Sequence, residues 1–198
     1  MQTRHPSTHK RKERYGHKMV YFFLADGFEE VEALCPIDLL RRAGSKVTTV
    51  AVGGGDYITG SHGISVKADA KENDLDFSDA EMVVLPGGMP GTLNLEASPV
   101  VKKAVDDAYN AGKFVCAICA APSVLGKRGY LRSKEAICYP GFEKFLDGAK
   151  ISDKKVVRDG NIITGAGMGV ALDFGLALVS ALHGDKKASE LRASVIAD

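Results

Sequence analysis

Apolar residues never run long enough in this chain to cross a bilayer. The longest stretches, 19–25 and 176–182, fall far short of the roughly 18 residues a span requires and read as strand and helix pieces. An excess of charge of one sign is lacking too. The 26 Lys and Arg stand against 25 Asp and Glu, for a net of +1. Residues 1–18 hold six of those bases (Arg4, Lys10, Arg11, Lys12, Arg14, Lys18) and one acid, Glu13, so the remainder stands at −4. A mildly acidic body gives no footing for a nucleic-acid partner. Cysteine is sparse, with four in 198 residues. No secretory apolar core follows the basic start, because Asp26, Glu29 and Glu30 interrupt it. The expectation is a cytoplasmic, reducing setting with free thiols. Repeats and internal linkers are absent from the pattern.

What is present is ordinary globular material, 45% hydrophobic and 26% charged, in a length that suits one domain. The domain is expected over 19–198. Residues 1–18, with His5, His9 and His17, read as a basic, flexible extension, since they offer no apolar helical face for a targeting peptide.

Short apolar runs alternate with helical patterns. Met19–Ala25, Val47–Val52, Glu81–Leu85 and Lys113–Ile118 read as strands buried on both faces. A helix is expected over 29–43, closed by Gly44, with Pro36 kinking or dividing it. Residues 53–67 read as a hairpin-like excursion. Ser98-Pro99 places an N-cap and a first-turn proline before a helix that ends at Gly112. Another helix follows residue 118 directly, to about Lys127. Weaker signals suggest strands at 135–138, 155–158 and 161–164, and helices at 142–147 and 168–182. Such alternation implies an α/β fold, a mostly parallel sheet covered on both sides. Chemistry then gathers at the carboxyl ends of the strands, in the loops 26–32, 86–91 and 119–122.

The most specific local pattern is Ala117-Ile118-Cys119-Ala120-Ala121-Pro122, where a buried strand turns straight into a helix. A nucleophile on so sharp a turn brings the residues two before and two after it together, so both must be small. Cys119 would also face a helix N-terminus, whose partial positive charge stabilises a thiolate. The plain alternative is a buried cysteine at a strand end. Cys116 and Cys119 form a C-x-x-C, but residues three apart on a strand point to opposite faces, which disfavours a dithiol. Cys35 and Cys138 read as packing residues.

Pro86-Gly87-Gly88-Met89-Pro90-Gly91 is either a plain turn or a loop that aims a backbone N–H into a pocket. The acids of Asp26-Gly27-Phe28-Glu29-Glu30-Val31-Glu32 are either dipole complements in a first helical turn or include one that reaches the nucleophile. Gly165-Ala166-Gly167-Met168-Gly169-Val170 fails as a dinucleotide loop, because Val170 or Leu172 stands where the last glycine belongs. No metal motif or carboxylate cluster is evident.

F-L-A-D-G-F-E-E-V-E, P-I-D-L-L-R-R-A-G, V-V-L-P-G-G and A-I-C-A-A-P occur together, in order, between Met19 and Asp198. With these segments the chain resembles the ThiJ/PfpI superfamily, in the branch of the human parkinsonism-associated protein and its bacterial relatives, with a class I glutamine amidotransferase-like fold. The resemblance implies a flavodoxin-like three-layer sandwich with a nucleophile elbow, in a homodimer. It makes Cys119 the nucleophile and Glu32 the acid whose carboxyl hydrogen-bonds the sulfur. It matches the N–H groups of Gly88 and Ala120 to oxyanion-hole donors, and Arg41 or Arg42 to an arginine at the dimer-side edge of the pocket. Many relatives place a His before a Pro about twenty residues after the nucleophile; Tyr139 stands there, which counts against proteolysis. His62 falls where close relatives line the pocket with a basic residue, and is a candidate proton carrier or anion contact. His183, at a helix end, reads as a dipole partner.

The function implied is a cofactor-independent cysteine enzyme acting on reactive dicarbonyls or their adducts, of the glyoxalase or deglycase kind. The rival is a redox-responsive protective protein whose Cys119 is oxidised to sulfinic acid. A small carbonyl compound and a second copy of the chain are the implied partners, with no membrane, nucleic acid or metal. A carboxyl beside a thiolate should have its pKa raised by like-charge repulsion, so that Glu32 is protonated near neutrality and donates to the sulfur.

Overall fold

A computed structural model describes residues 19–197; the basic segment 1–18 lies outside the described residues. The chain runs β1 (Met19–Ala25), α1 (Glu30–Ala43), β2 (Lys46–Val52), β3 (Tyr57–Thr59), β4 (Ser65–Lys67), β5 (Ala70–Lys71), β6 (Ala80–Leu85), α2 (Gly91–Ala97) and α3 (Pro99–Asn110). It continues through β7 (Phe114–Ile118), α4 (Pro122–Lys127), β8 (Glu135–Ala136), β9 (Lys150–Ile151), β10 (Val156–Asp159), β11 (Ile162–Gly165), α5 (Ala171–His183) and α6 (Asp185–Ser194).

Seven strands form the central sheet in the order β10-β11-β7-β6-β1-β2-β5. All neighbours are parallel except β10 against β11. The period of two along β1 divides its side chains between two cores. Val20, Phe22 and Leu24 pack toward α1, α5 and α6. Tyr21, Phe23 and Ala25 pack toward α2, α3 and α4. This is the expected α/β three-layer sandwich, and it sets the carboxyl ends of β1, β6 and β7 side by side.

The excursion after β2 is the expected hairpin, with Tyr57 opposite Lys67 and Thr59 opposite Ser65. Ser98 caps α3 by accepting the Val101 N–H at 3.1 Å. Several expectations need correction. Pro36 does not divide α1, which runs unbroken from Glu30 to Ala43. Its missing N–H forfeits one bond, but it sits where α5 comes closest: a Cβ on Gly175 would lie 2.9 Å from the Pro36 Cα. Burial of Ile37, Leu39 and Leu40 in the same seam holds the helix together. The helix at 142–147 is only a 3-10 turn over Glu143–Phe145. The strand at 135–138 shrinks to Glu135–Ala136, paired with β9. The helix at 168–182 begins as a 3-10 turn, Met168–Val170, before α5. β5, β9, α2 and α6 gave no sequence signal.

Candidate active site

Every piece of the elbow is set by backbone geometry. Cys119 has φ of 65°, in the left-handed region that residues with a Cβ rarely adopt. Its N–H donates to the Gly165 carbonyl at 2.9 Å, and its carbonyl accepts from the Tyr139 N–H at 2.8 Å. Ala117 and Ala121 are fully buried around the turn, as a sharp strand-to-helix corner requires. The geometry also changes the reason for rejecting the dithiol. The strand ends at Ile118, and the turn brings Cys119 against the same core that holds Cys116. No disulfide forms: all four cysteines are free and Cys116 is completely buried.

Glu32 reaches the sulfur from the first turn of α1. Its side chain is fully buried, and Oε2 accepts the Gly87 N–H at 2.9 Å. Gly87 must be glycine: a Cβ there would lie 2.6 Å from the Cys119 Cβ and 2.6 Å from Glu32 Oε2. Oε1 is buried with no hydrogen-bond partner, which leaves it free to carry the acid's proton. The N–H groups of Gly88 and Ala120 both donate toward the sulfur.

Burial pushes the Glu32 carboxyl up to about 7, while its bonds to Cys119 and to the Gly87 N–H pull against the rise. Burial and the Glu32 charge push the Cys119 thiol up to about 12, against the pull of the two N–H groups. The thiol is therefore not activated by the helix N-terminus alone. α4 has six residues, and its field does not outweigh a buried carboxylate beside the sulfur. Burial comes first for both groups; the carboxyl rises as expected, but through burial and the Glu29 charge rather than repulsion by a thiolate, whereas the thiol does feel the Glu32 charge. With a single charge, the sulfur has two N–H donors and the acid proton, whereas the carboxylate has the Gly87 N–H and a weak S–H donor. The N–H groups of Gly88 and Ala120 therefore oppose the rise of the thiol, as the Gly87 N–H opposes that of the acid.

An open cavity of about 720 Å³ lies over this pair, and Cys119, Glu32, Gly88, Ala120, His62 and Tyr139 all line it. Arg41 and Arg42 do not. They stand at the far end of α1, where Arg41 pairs with Asp69 at 2.7 Å and Arg42 with Asp38 at 2.5 Å. A helix rises 1.5 Å per residue, so roughly 13 Å separates Arg41 from Glu32 along the axis. His183 ends α5 and its Nε2 lies 2.7 Å from Ser45 Oγ, outside the cavity.

Glu29, three residues before Glu32, lines the cavity as well, and sequence reasoning missed Ser61 and Lys155 in its wall. It had weighed residues 165–170 only as a nucleotide loop, yet Ala166–Val170 lines the cavity, starting beside the elbow where Gly165 accepts the Cys119 N–H. It also missed that Glu29 and Glu30 meet His62 across the β3–β4 turn. The His62 Nδ1 lies 2.9 Å from Glu30 Oε2 and 3.4 Å from Glu29 Oε2. Among the described residues these three form the one cluster of metal-ligating type, their donor atoms within 4.8 Å of one another. The ion pair between His62 and buried Glu30 accounts for the cluster without an ion. Only the Glu-Glu pair at the helix start could have hinted at it.

The model of the DJ-1/PfpI family matches residues 18–181. Protein dj-1beta of Drosophila melanogaster is 35% identical over 176 residues, covering 88% of this chain and 94% of the relative. A deglycase of Pyrococcus horikoshii is 33% identical over 150 residues, covering 73% of this chain and 87% of the relative. The solved structure of oxidized DJ-1 from Toxoplasma gondii superposes with a TM-score of 0.87 at 30% identity, covering 90% of this chain and 98% of that one.

Proposed function

Since the chain belongs to the DJ-1/PfpI family, we propose that it is a cofactor-independent, cysteine-dependent enzyme acting on reactive dicarbonyls or their adducts, with Cys119 and Glu32 as its catalytic pair. The observation that carries this reading is the buried Glu32 against Cys119, with one unpartnered oxygen, at the floor of an open cavity. The deglycase among the relatives is consistent with it.

For a 2-oxoaldehyde, the Cys119 thiolate adds to the aldehyde carbon. The C–S bond forms, the carbonyl π bond breaks, and Glu32 gives its proton to the new alkoxide. The N–H groups of Gly88 and Ala120, already aimed at the sulfur, are placed to stabilise that oxygen as it becomes negative. Glu32, now a carboxylate, takes the hydrogen from the hemithioacetal carbon and returns it to the neighbouring carbon, which leaves a thioester. Water cleaves the thioester. Its hydroxyl joins the acyl carbon, its proton returns to Glu32, and the sulfur departs as thiolate, releasing a 2-hydroxy acid.

The test is steady-state turnover of glyoxal and methylglyoxal by wild type, Cys119→Ala and Glu32→Gln. The reading expects loss of turnover in the first variant and a fall of about 10²-fold or more in the second. Turnover that survives Cys119→Ala contradicts it. The redox reading has its own support, because a relative of the same fold has been solved in an oxidized state. It expects peroxide to convert Cys119 to sulfinic acid, with no turnover by the reduced protein. A peptidase is disfavoured by Tyr139 at the place of the resembling family's histidine. We further propose a homodimer: Val31 and Leu34 on one face of α1, and Ile64 in the turn bonded to that helix, are large apolar residues left exposed. No helix among the described residues is long and apolar enough to cross a membrane, and the proposed setting is the cytoplasm.

A further inference from the structure

We infer that Glu30 is a positioning residue whose carboxylate fixes the His62 ring through Nδ1, so that the ring's other nitrogen serves the Cys119 cavity as a second proton carrier. This inference rests on the dicarbonyl reading above. Glu30 is 4% exposed, yet it stands in the first turn of a helix whose outer face meets solvent. Its hydrogen bonds all go to one turn. Oε1 accepts the His62 N–H at 2.8 Å and the Ile64 N–H at 3.4 Å, and Oε2 meets His62 Nδ1 at 2.9 Å and the Ser61 hydroxyl at 3.5 Å. Gly60 leaves room for it, since a Cβ there would lie 2.4 Å from the carboxyl carbon. The arrangement is built around that carboxylate.

Its cationic partner decides the meaning. A buried carboxylate needs a positive neighbour, and a Lys or Arg would give a permanent one. The partner here is an imidazole, the side chain that exchanges protons near neutral pH. A carboxylate bonded to one ring nitrogen fixes the ring's orientation and tautomer, and leaves the other nitrogen to exchange protons. The His62 side chain is 68% exposed and lines the same cavity as Cys119. Glu30 and Glu29 together raise the His62 pKa, chiefly through the Glu30 bond, which favours the ring as a proton donor.

The proposed chemistry has a place for that acid. Moving hydrogen between the two carbons is work for Glu32, which lines the cavity beside the sulfur. Each of the two oxygens must also change its proton. As the enediol forms, His62 Nε2–H donates to the carbonyl oxygen on the carbon not bonded to sulfur. As the enediol collapses to the thioester, Nε2 takes the hydroxyl proton from the other oxygen, and the ring ends as it began. No co-reactant is needed. The groups facing His62 are Glu30, Glu29 and Ser61 at its own end. Across the cavity stand the Cys119–Glu32 pair, Tyr139 and Lys155.

The test uses the full chain and two readouts, turnover of glyoxal from pH 5 to 9 and the His62 ring titration by NMR. His62→Gln should lower kcat about 10²-fold with little change in KM, and free imidazole should restore part of the activity of His62→Ala. Glu30→Gln should lower the His62 midpoint and move the alkaline limb of kcat by the same amount. The inference is overturned if His62→Gln turns over within twofold of wild type, or if the limb stays in place while the midpoint moves. If Glu30→Gln does not fold, the exposed His62 variants and the imidazole rescue decide alone. Absence of turnover in the wild-type protein overturns the dicarbonyl reading itself, a result distinct from these.

Discussion

Replacing Glu32 by Gln should change how stability depends on pH, and the size of the change follows from the site. The folded pair holds its carboxyl proton up to about pH 7, whereas an unfolded glutamate lets it go near 4.5. The folded state therefore binds more protons between those values, and wild type loses stability as pH rises through them. At 1.36 kcal/mol for each unit, the full loss is about 3 kcal/mol, of which about 2–3 kcal/mol falls between pH 5 and 8. Gln mimics the protonated acid: its oxygen can accept the Gly87 N–H and its amide can donate to sulfur. It carries no such loss. Other carboxylates push in the opposite sense. Asp69 and Asp106 are held low by their hydrogen bonds and arginine partners, and burial does not offset them. Subtracting the variant from wild type removes these contributions. With a urea slope of about 2 kcal/mol per molar, the midpoint of wild type should fall by about 1 M relative to Glu32→Gln across that range. A difference constant from pH 5 to 8 would refute the raised carboxyl.

Gly87→Ala should uncouple the pair sterically. The new Cβ would sit 2.6 Å from both the Cys119 Cβ and Glu32 Oε2, so the two must move apart by about 1 Å. Turnover should fall about 10²-fold, at a stability cost of about 1–3 kcal/mol in urea unfolding. A fully active variant would show that the pair does not need this spacing. Gly175→Ala should destabilise the α1–α5 seam by a similar 1–3 kcal/mol, because its Cβ would meet Leu39 Cδ1 at 2.6 Å. Equilibrium unfolding reads that directly, and a neutral result would mean the helices separate freely. Ser98→Ala removes the α3 cap and should cost about 1 kcal/mol by the same measurement, while turnover stays unchanged.

Features written in contiguous residues were legible, and those made by the chain returning on itself were not. The elbow lies within six residues, so small neighbours around Cys119 predicted its corner. The core strands stood out because burial on both faces makes their apolar runs continuous. By contrast, β5 and β9 have two residues each and exist only through their partners, β2 and β8. Pro36 misled because local propensity argued for a break, while the α5 contact that overrides it lies almost 140 residues away. Glu30 looked like a helix-dipole acid because its partner, His62, is 32 residues distant. Lys155 and the 166–170 wall had no motif of their own. The two arginines were placed by resemblance alone, and the length of α1 carries them away from the cavity of their own chain.

The central claim is that Cys119 and Glu32 share one proton, and that the first ionisation of the pair yields the thiolate. Thiolate absorbance near 240 nm (a rough value for activated cysteines), measured from pH 5 to 9 and referred to Cys119→Ala, tests it most directly. The account predicts that the wild-type absorbance rises within this range, below the ordinary thiol value of about 8.5. Absorbance that stays flat to pH 9 would place the charge on Glu32 and the proton on sulfur, and would contradict the account.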